Sequence, residues 1–152
     1  MNEPQTFEAA TEDDMMALGR TLRPLFAAGG VVHLTGDLGV GKTTLVRGIL
    51  RAMGFRGRVK SPSYGLIESY SLDSLVVHHL DLYRLSDGEE ITYLGLEDLF
   101  VGPTLLLVEW PEKGAGYMPA ATVKIDISDR PDGVREINLD VLALNDDPSG
   151  SQ

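Results

Sequence analysis

Gly36-Asp37-Leu38-Gly39-Val40-Gly41-Lys42-Thr43 is the stretch that decides the fold. It fits the pattern G-x-x-x-x-G-K-[S/T] in full. An apolar β-type run, Val31-Val32-His33-Leu34-Thr35, leads into it. Behind it, Leu45, Val46, Ile49, Leu50 and Met53 recur on one helical face, and Gly54 is a suitable residue to close that helix. Strand, glycine loop and helix in that order make a phosphate cradle. Glycines let the chain curl so that successive N–H groups face phosphate oxygens, and the helix N-terminus adds its positive end. Lys42 is placed to reach the β- and γ-phosphates, and the Thr43 hydroxyl to ligate Mg²⁺. The expected ligand is a nucleoside triphosphate with its metal.

Working outward, Thr11 is a candidate N-cap with Asp14 in the capping-box position. Met15, Leu18, Leu22 and Leu25 then share a helical face, and Pro24 should kink or end that helix early. Two later runs, Leu75–Leu80 and Thr104–Val108, are apolar nearly throughout, as buried parallel strands are. Each ends in an acid, Asp81 and Glu109 respectively. If both strands flank the P-loop strand, both acids arrive at the same carboxyl edge of the sheet, where α/β folds bind ligands. One would then serve the Mg²⁺ shell and the other orient an attacking water, and periodicity does not say which does which. Asp87 with Glu90 signals a further helix reaching to about Phe100. Val123–Ile127 and Val134–Leu139 alternate around Pro131-Asp132-Gly133, an antiparallel hairpin. The expected fold class is therefore α/β, a P-loop NTPase with a mostly parallel central sheet flanked by helices and an antiparallel C-terminal hairpin. Residues 1–144 read as one ATPase domain and 145–152, which is polar with Pro and Gly, as a flexible tail.

Composition narrows the function. The 152 residues carry 13 Lys and Arg against 23 Asp and Glu, a net charge of −10. So acidic a chain is a poor free-standing nucleic-acid binder, and DNA binding is not expected. With no cysteine, a disulfide framework, a thiolate metal site and a cysteine nucleophile are all excluded. No apolar run approaches the ~20 residues that span a bilayer, and Met1-Asn2-Glu3-Pro4 lacks the features of a secretory signal. A cytoplasmic protein with no membrane role is expected.

Four segments together carry a resemblance to a known family: Gly36–Thr44 (GDLGVGKTT), Val59–Tyr64 (VKSPSY), His79–Leu85 (HLDLYRL) and Glu109–Glu112 (EWPE). In this order and spacing the chain resembles the TsaE family, formerly YjeE, from Thr11 to the C-terminal hairpin. The P-loop alone is generic; its combination with the other three segments is specific. The resemblance implies a bacterial ATPase needed for the threonylcarbamoyladenosine modification at position 37 of tRNAs that read codons beginning with A. Such a protein works with the TsaB–TsaD complex, supports its repeated turnover and does not itself transfer the group. It would meet tRNA only through that complex. The cofactors implied are ATP and Mg²⁺. By position, Lys42 contacts phosphates, Thr43 and Glu109 ligate the metal, and Asp81 is needed for hydrolysis. Gly36, Gly39, Val40, Gly41 and Thr44 complete the nucleotide cradle. Ser61, Pro62, Ser63 and Tyr64 form a nucleotide-sensing switch. Trp110 lies near the nucleotide, and Glu12 and the Gly133–Arg135 stretch lie by its base. The chain departs from the family pattern at Ser63, where threonine is commoner, at Gly65 and Gly88, and at Val40, whose β-branch is expected to crowd the phosphates.

Other features have simpler readings. Pro62 holds Ser61 extended, so the loop can swing as a unit. His78 and His79 are adjacent on a strand and point to opposite faces, so one packed and one at the surface is expected. Arg47, Arg51, Arg56, Arg58 and Lys60 are a basic cluster in an acidic chain, expected to meet an acidic partner surface or tRNA within the complex. Two alternatives to the ATPase reading remain: a small-molecule kinase, though no arginine-rich lid is visible, and a non-catalytic ATP-gated adaptor, which could dispense with one of the two acids.

Overall fold

The computed structural model describes residues 4–62 and 66–142. Ser63, Tyr64 and the expected tail lie outside them. The elements run β1 (Gln5–Ala9), α1 (Glu12–Phe26), β2 (Gly30–Thr35), α2 (Lys42–Ala52), β3 (Ile67–Ser71), β4 (Val76–Asp81), α3 (Leu96–Leu99), β5 (Thr104–Glu109), β6 (Val123–Asp129) and β7 (Arg135–Val141). Two 3₁₀ segments occupy Gly88–Leu94 and Pro111–Gly114.

All seven strands form one sheet in the order β1-β7-β6-β2-β5-β4-β3. The centre, β6-β2-β5-β4, is parallel, while β7, β1 and β3 each pair antiparallel with their neighbours. The α/β class, the mostly parallel centre and the C-terminal hairpin match expectation. Two refinements follow from the register. Of the two strands that end in an acid, only β5 directly flanks the P-loop strand β2, because β4 lies one place further out. The other neighbour of β2 is β6, the first hairpin strand, which runs parallel to it. The edge strands β1 and β3 carry no clear sequence signal.

Helix α1 starts as its capping box dictates. Thr11 Oγ1 accepts from the Asp14 N–H at 3.0 Å, and the Asp14 carboxylate accepts from the Thr11 N–H at 3.2 Å. Pro24 does not stop the helix, which runs on to Phe26. In the last turn proline's fixed φ is already helical, and its missing N–H frees only the carbonyl of Arg20, a residue on the solvent side. The buried stripe is Met15, Leu18, Leu22 and Phe26; Leu25, expected on that face, is exposed.

Helices α1 and α2 cover one face of the sheet. Their backbones touch where Gly19 meets Gly48: a Cβ on Gly19 would lie 2.2 Å from the Gly48 carbonyl carbon. Val32, Leu34, Val77, Leu105, Leu107, Ile125 and Ile127 pack beneath them. The other face is covered more thinly. Leu80, Leu106 and Val108 meet Leu82 and Leu85 from the turn after β4 and Ile91 from the 3₁₀ segment. The helix expected from Asp87 to Phe100 is broken here. Its capping box forms, with Glu89 N–H donating to Asp87 at 3.0 Å and Asp87 N–H donating to Glu90 at 3.2 Å. Gly95 then adopts φ 67°, which ends the first piece and leaves α3 as a single turn.

Candidate functional site

The P-loop joins the carboxyl end of β2 to the first turn of α2. Gly36 sits at φ 139°, and a Cβ there would stand 2.5 Å from the Ile127 carbonyl oxygen, so no other residue fits. Gly41, at φ 109°, turns the chain into α2. The two helix starts contrast. The first turn of α1 holds Glu12, Asp13 and Asp14 and is capped by its own side chains. The first turn of α2 holds no acid and has no side-chain cap. Its N–H groups and positive dipole end are therefore left for an external anion.

Lys42, Thr43, Asp81, Glu109, Ser61 and Trp110 come together with Leu38, Gly39, Gly41 and Thr44 around a cleft of about 310 Å³. The register explains the two acids. Asp81 and Glu109, the last residues of β4 and β5, are direct Cα partners. The Thr43 hydroxyl donates to Glu109 Oε2 at 3.1 Å. Lys42 Nζ donates to the Gly36 carbonyl at 2.5 Å and lies 3.9 Å from the Trp110 ring centre. Lys42 is buried, and among the described residues no carboxylate is within ion-pair distance of it. Burial lowers its pKa, opposed by the charges of Glu109, Asp81, Glu112 and Asp37. A buried ammonium resting on a carbonyl is a group built to receive an anion. Burial pushes the Asp81 carboxyl up, assisted by the negative charge of Glu109 and opposed by the bond it accepts from the Tyr83 N–H.

Trp110 holds φ 58°, a left-handed conformation costly for a bulky residue, immediately after Glu109. It turns the indole over Lys42 and packs against Tyr83, with ring centres 5.0 Å apart.

The donor set fits Mg²⁺. A hydroxyl and a carboxylate oxygen converge, oxygen donors of the kind Mg²⁺ takes.

Glu12 and Gly133 line a second hollow of about 230 Å³ with Thr11, Gly39, Gly41, Thr44 and Arg135. It adjoins the P-loop on the side away from the acids. Arg135 donates to the Val40 carbonyl at 2.5 Å and pairs with Asp129, which ties β7 to the loop. The expectation that Val40 crowds the phosphates fails: its side chain is buried among the core residues under α1 and α2, and the loop presents only its backbone. Pro62 is buried, and Ser61 reaches the cleft.

Both adjacent histidines are buried, against the expectation that one would be exposed. They do face opposite ways. His78 bonds Ser69 Oγ at 2.7 Å, while His79 Nε2 bonds Glu109 Oε2 at 2.7 Å. The strand's alternation puts His79 on the face of Asp81, two residues on, and the pairing of β4 with β5 then brings it to Glu109. The basic cluster is less uniform than its sequence. Arg51 donates to the carbonyls of Phe55 and Gly57 at 2.9 and 2.7 Å and braces the loop after α2. Arg56, Arg58 and Lys60 are exposed. Among the described residues, no helix is long and apolar enough to cross a membrane.

Known proteins resemble this chain in sequence and fold. The profile of the family described as "Threonylcarbamoyl adenosine biosynthesis protein TsaE" matches residues 9–137. The tRNA threonylcarbamoyladenosine biosynthesis protein TsaE of Haemophilus influenzae is 47% identical over 109 residues, covering 72% of this chain and 68% of that one. The protein of the same name from Bacillus subtilis is 34% identical over 127 residues, covering 84% and 79%. The crystal structure of Bacillus subtilis YdiB superposes with a TM-score of 0.77 at 27% identity, covering 94% of this chain and 88% of that one. With a matching profile over most of its length, relatives aligned over more than two thirds of both chains and a shared fold, the chain belongs to the TsaE family.

Proposed function

We propose that the protein is a cytoplasmic, Mg²⁺-dependent ATPase that supports threonylcarbamoyladenosine formation at position 37 of tRNAs reading codons that begin with A. It acts with the TsaB–TsaD complex, sustains that complex's turnover and does not transfer the group itself. The observation that carries the reading is the Thr43–Glu109 contact of 3.1 Å, in the same cleft as Lys42 and Asp81. Family membership supplies the modification; the cleft supplies the chemistry.

The residues divide the work as follows. The P-loop N–H groups and the start of α2 bind the phosphates. Lys42 exchanges the Gly36 carbonyl for phosphate oxygens. Thr43 and Glu109 hold Mg²⁺, and Trp110 shields the cleft from water. When bound, Mg²⁺ neutralises charge on the β- and γ-phosphates. Asp81 orients the water and takes its proton, and burial, which raises its pKa, makes it a better proton acceptor than an exposed aspartate. Ser61 to Tyr64 form the switch that senses the nucleotide, and Glu12 and Gly133 flank the base. Arg56, Arg58 and Lys60, next to that switch, meet an acidic surface or tRNA within the complex. Turnover in isolation is slow and rises when the partners dock.

Phosphate release from ATP and Mg²⁺, with no acceptor present, tests the reaction class. Acceptor-independent release supports the ATPase. ATP consumption only when an acceptor is added would replace it with a kinase, and binding with no release under any condition would favour an adaptor. Glu109→Ala should lose Mg²⁺ dependence; unchanged dependence would remove the metal assignment.

A further inference from the structure

Glu109 needs a fixed carboxylate, and its own backbone does not provide one. It is the last residue of β5, and the chain leaves the strand at once through Trp110 at φ 58°. Its side chain has several free torsions and is only 4% exposed. A buried carboxylate without donors costs several kcal/mol, on the order of the penalty for an unpaired internal charge. Two donors meet it, both at Oε2: the Thr43 hydroxyl at 3.1 Å and His79 Nε2 at 2.7 Å.

These donors are not equivalent. Thr43 belongs to the metal-binding set itself. Among the described residues, His79 is the only donor to Glu109 outside that set. His79 is fully buried on β4, a strand paired on both sides, by β3 and β5. It stands directly opposite Leu107, so it meets Glu109 as the diagonal same-face neighbour. Its Nδ1 is buried with no partner among the described residues. The bonding pattern therefore assigns the ring proton to Nε2, where the carboxylate accepts it.

We infer that His79 is a positioning residue: its Nε2–H holds Glu109 Oε2 so that the carboxylate is set, before nucleotide arrives, for the Mg²⁺ it shares with Thr43. The inference rests on the metal assignment above. Donors behind a metal ligand orient it and raise its affinity, and losing one costs roughly 10- to 100-fold.

The test uses two amide variants of the full chain. The amide nitrogen of glutamine reaches the Nε2 position of histidine; that of asparagine falls short. Mn²⁺ binding is titrated by electron paramagnetic resonance at saturating ADP, and ADP affinity is measured separately in EDTA. His79→Asn should weaken Mn²⁺ binding on the order of 10-fold with ADP affinity in EDTA unchanged, and His79→Gln should restore it. Wild-type Mn²⁺ affinity in a folded His79→Asn protein overturns the inference, as does equal loss of both affinities. If His79→Asn does not fold, ¹⁵N-histidine NMR of the wild-type protein decides. A protonated Nε2 whose shift moves with Mg²⁺ and ADP, but not with ADP in EDTA, supports the role; an Nδ1–H tautomer refutes it. A wild-type protein that binds no Mn²⁺ with ADP would instead bring down the nucleotide reading beneath it.

Discussion

Replacing Gly48 by alanine sets two effects against each other. Gly48 lies in the middle of α2, where alanine is the better helix former by about 1 kcal/mol. Against this stands the helix pair. A Cβ on Gly48 would lie 2.4 Å from the Met16 carbonyl oxygen and 2.9 Å from the Met16 Cα. Ordinary contacts are about 3.5–4.0 Å, so α1 must retreat by roughly 1 Å. The obstructing atoms are backbone, and no rotamer change relieves them. Overpacking of this kind costs about 1–3 kcal/mol or more, and here it lies at the upper end, because the whole of α1 must lift off Leu45 and Ile49. The net expectation is a loss of about 2 kcal/mol, which for a chain this size lowers Tm by about 4–8 °C. Thermal and urea melts of the purified variant measure it. Gly19→Ala, on the facing helix, should cost a similar amount, and the double variant less than the sum, since one retreat relieves both clashes. A Gly48→Ala protein that melts at or above the wild-type temperature would refute the backbone contact between the helices.

Three further outcomes are expected at the site. Lys42→Ala should abolish ATP binding by calorimetry while keeping the fold, since its ammonium is the cleft's buried cation; retained affinity would contradict its role. Asp81→Asn should bind ATP yet release no phosphate, and it should melt higher than wild type at neutral pH. The sign follows from a folded pKa raised above the unfolded one: stability from this group is full below the unfolded value and is lost as pH rises through the folded value. The gain should therefore vanish in acid, and a lower Tm at neutral pH would contradict the burial cost. Trp110 is the chain's single tryptophan, 3.9 Å from Lys42 Nζ. Its fluorescence should change when ADP draws the ammonium away, and no change on saturation would separate the indole from the nucleotide.

The centre of this fold is legible in the sequence because its signals are local. The glycine loop, both capping boxes and the two apolar strands ending in acids each lie within a few consecutive residues. The edges are not legible for the converse reason. Strand β1 exists because Gln5–Ala9 pairs with Leu139–Arg135 at the far end of the chain, and its pattern alone is mostly exposed. Strand β3 likewise takes its shape from β4. The segment after Asp87 reads as helix by its cap, but Gly95 in a left-handed turn and a run of Ile91, Thr92 and Tyr93, all weak helix formers, shorten it to a seven-residue 3₁₀ segment. Val40 reads as a crowding side chain until its direction is known. The bond from His79 to Glu109 needs the β4–β5 register, which no single segment encodes.

Phosphate release from ATP by the purified protein, alone and then with TsaB and TsaD, tests partner activation of the ATPase most directly. Release should be slow alone and rise severalfold with both partners, and Asp81→Asn should abolish it. A rate indifferent to the partners, with no binding to them, would contradict partner activation.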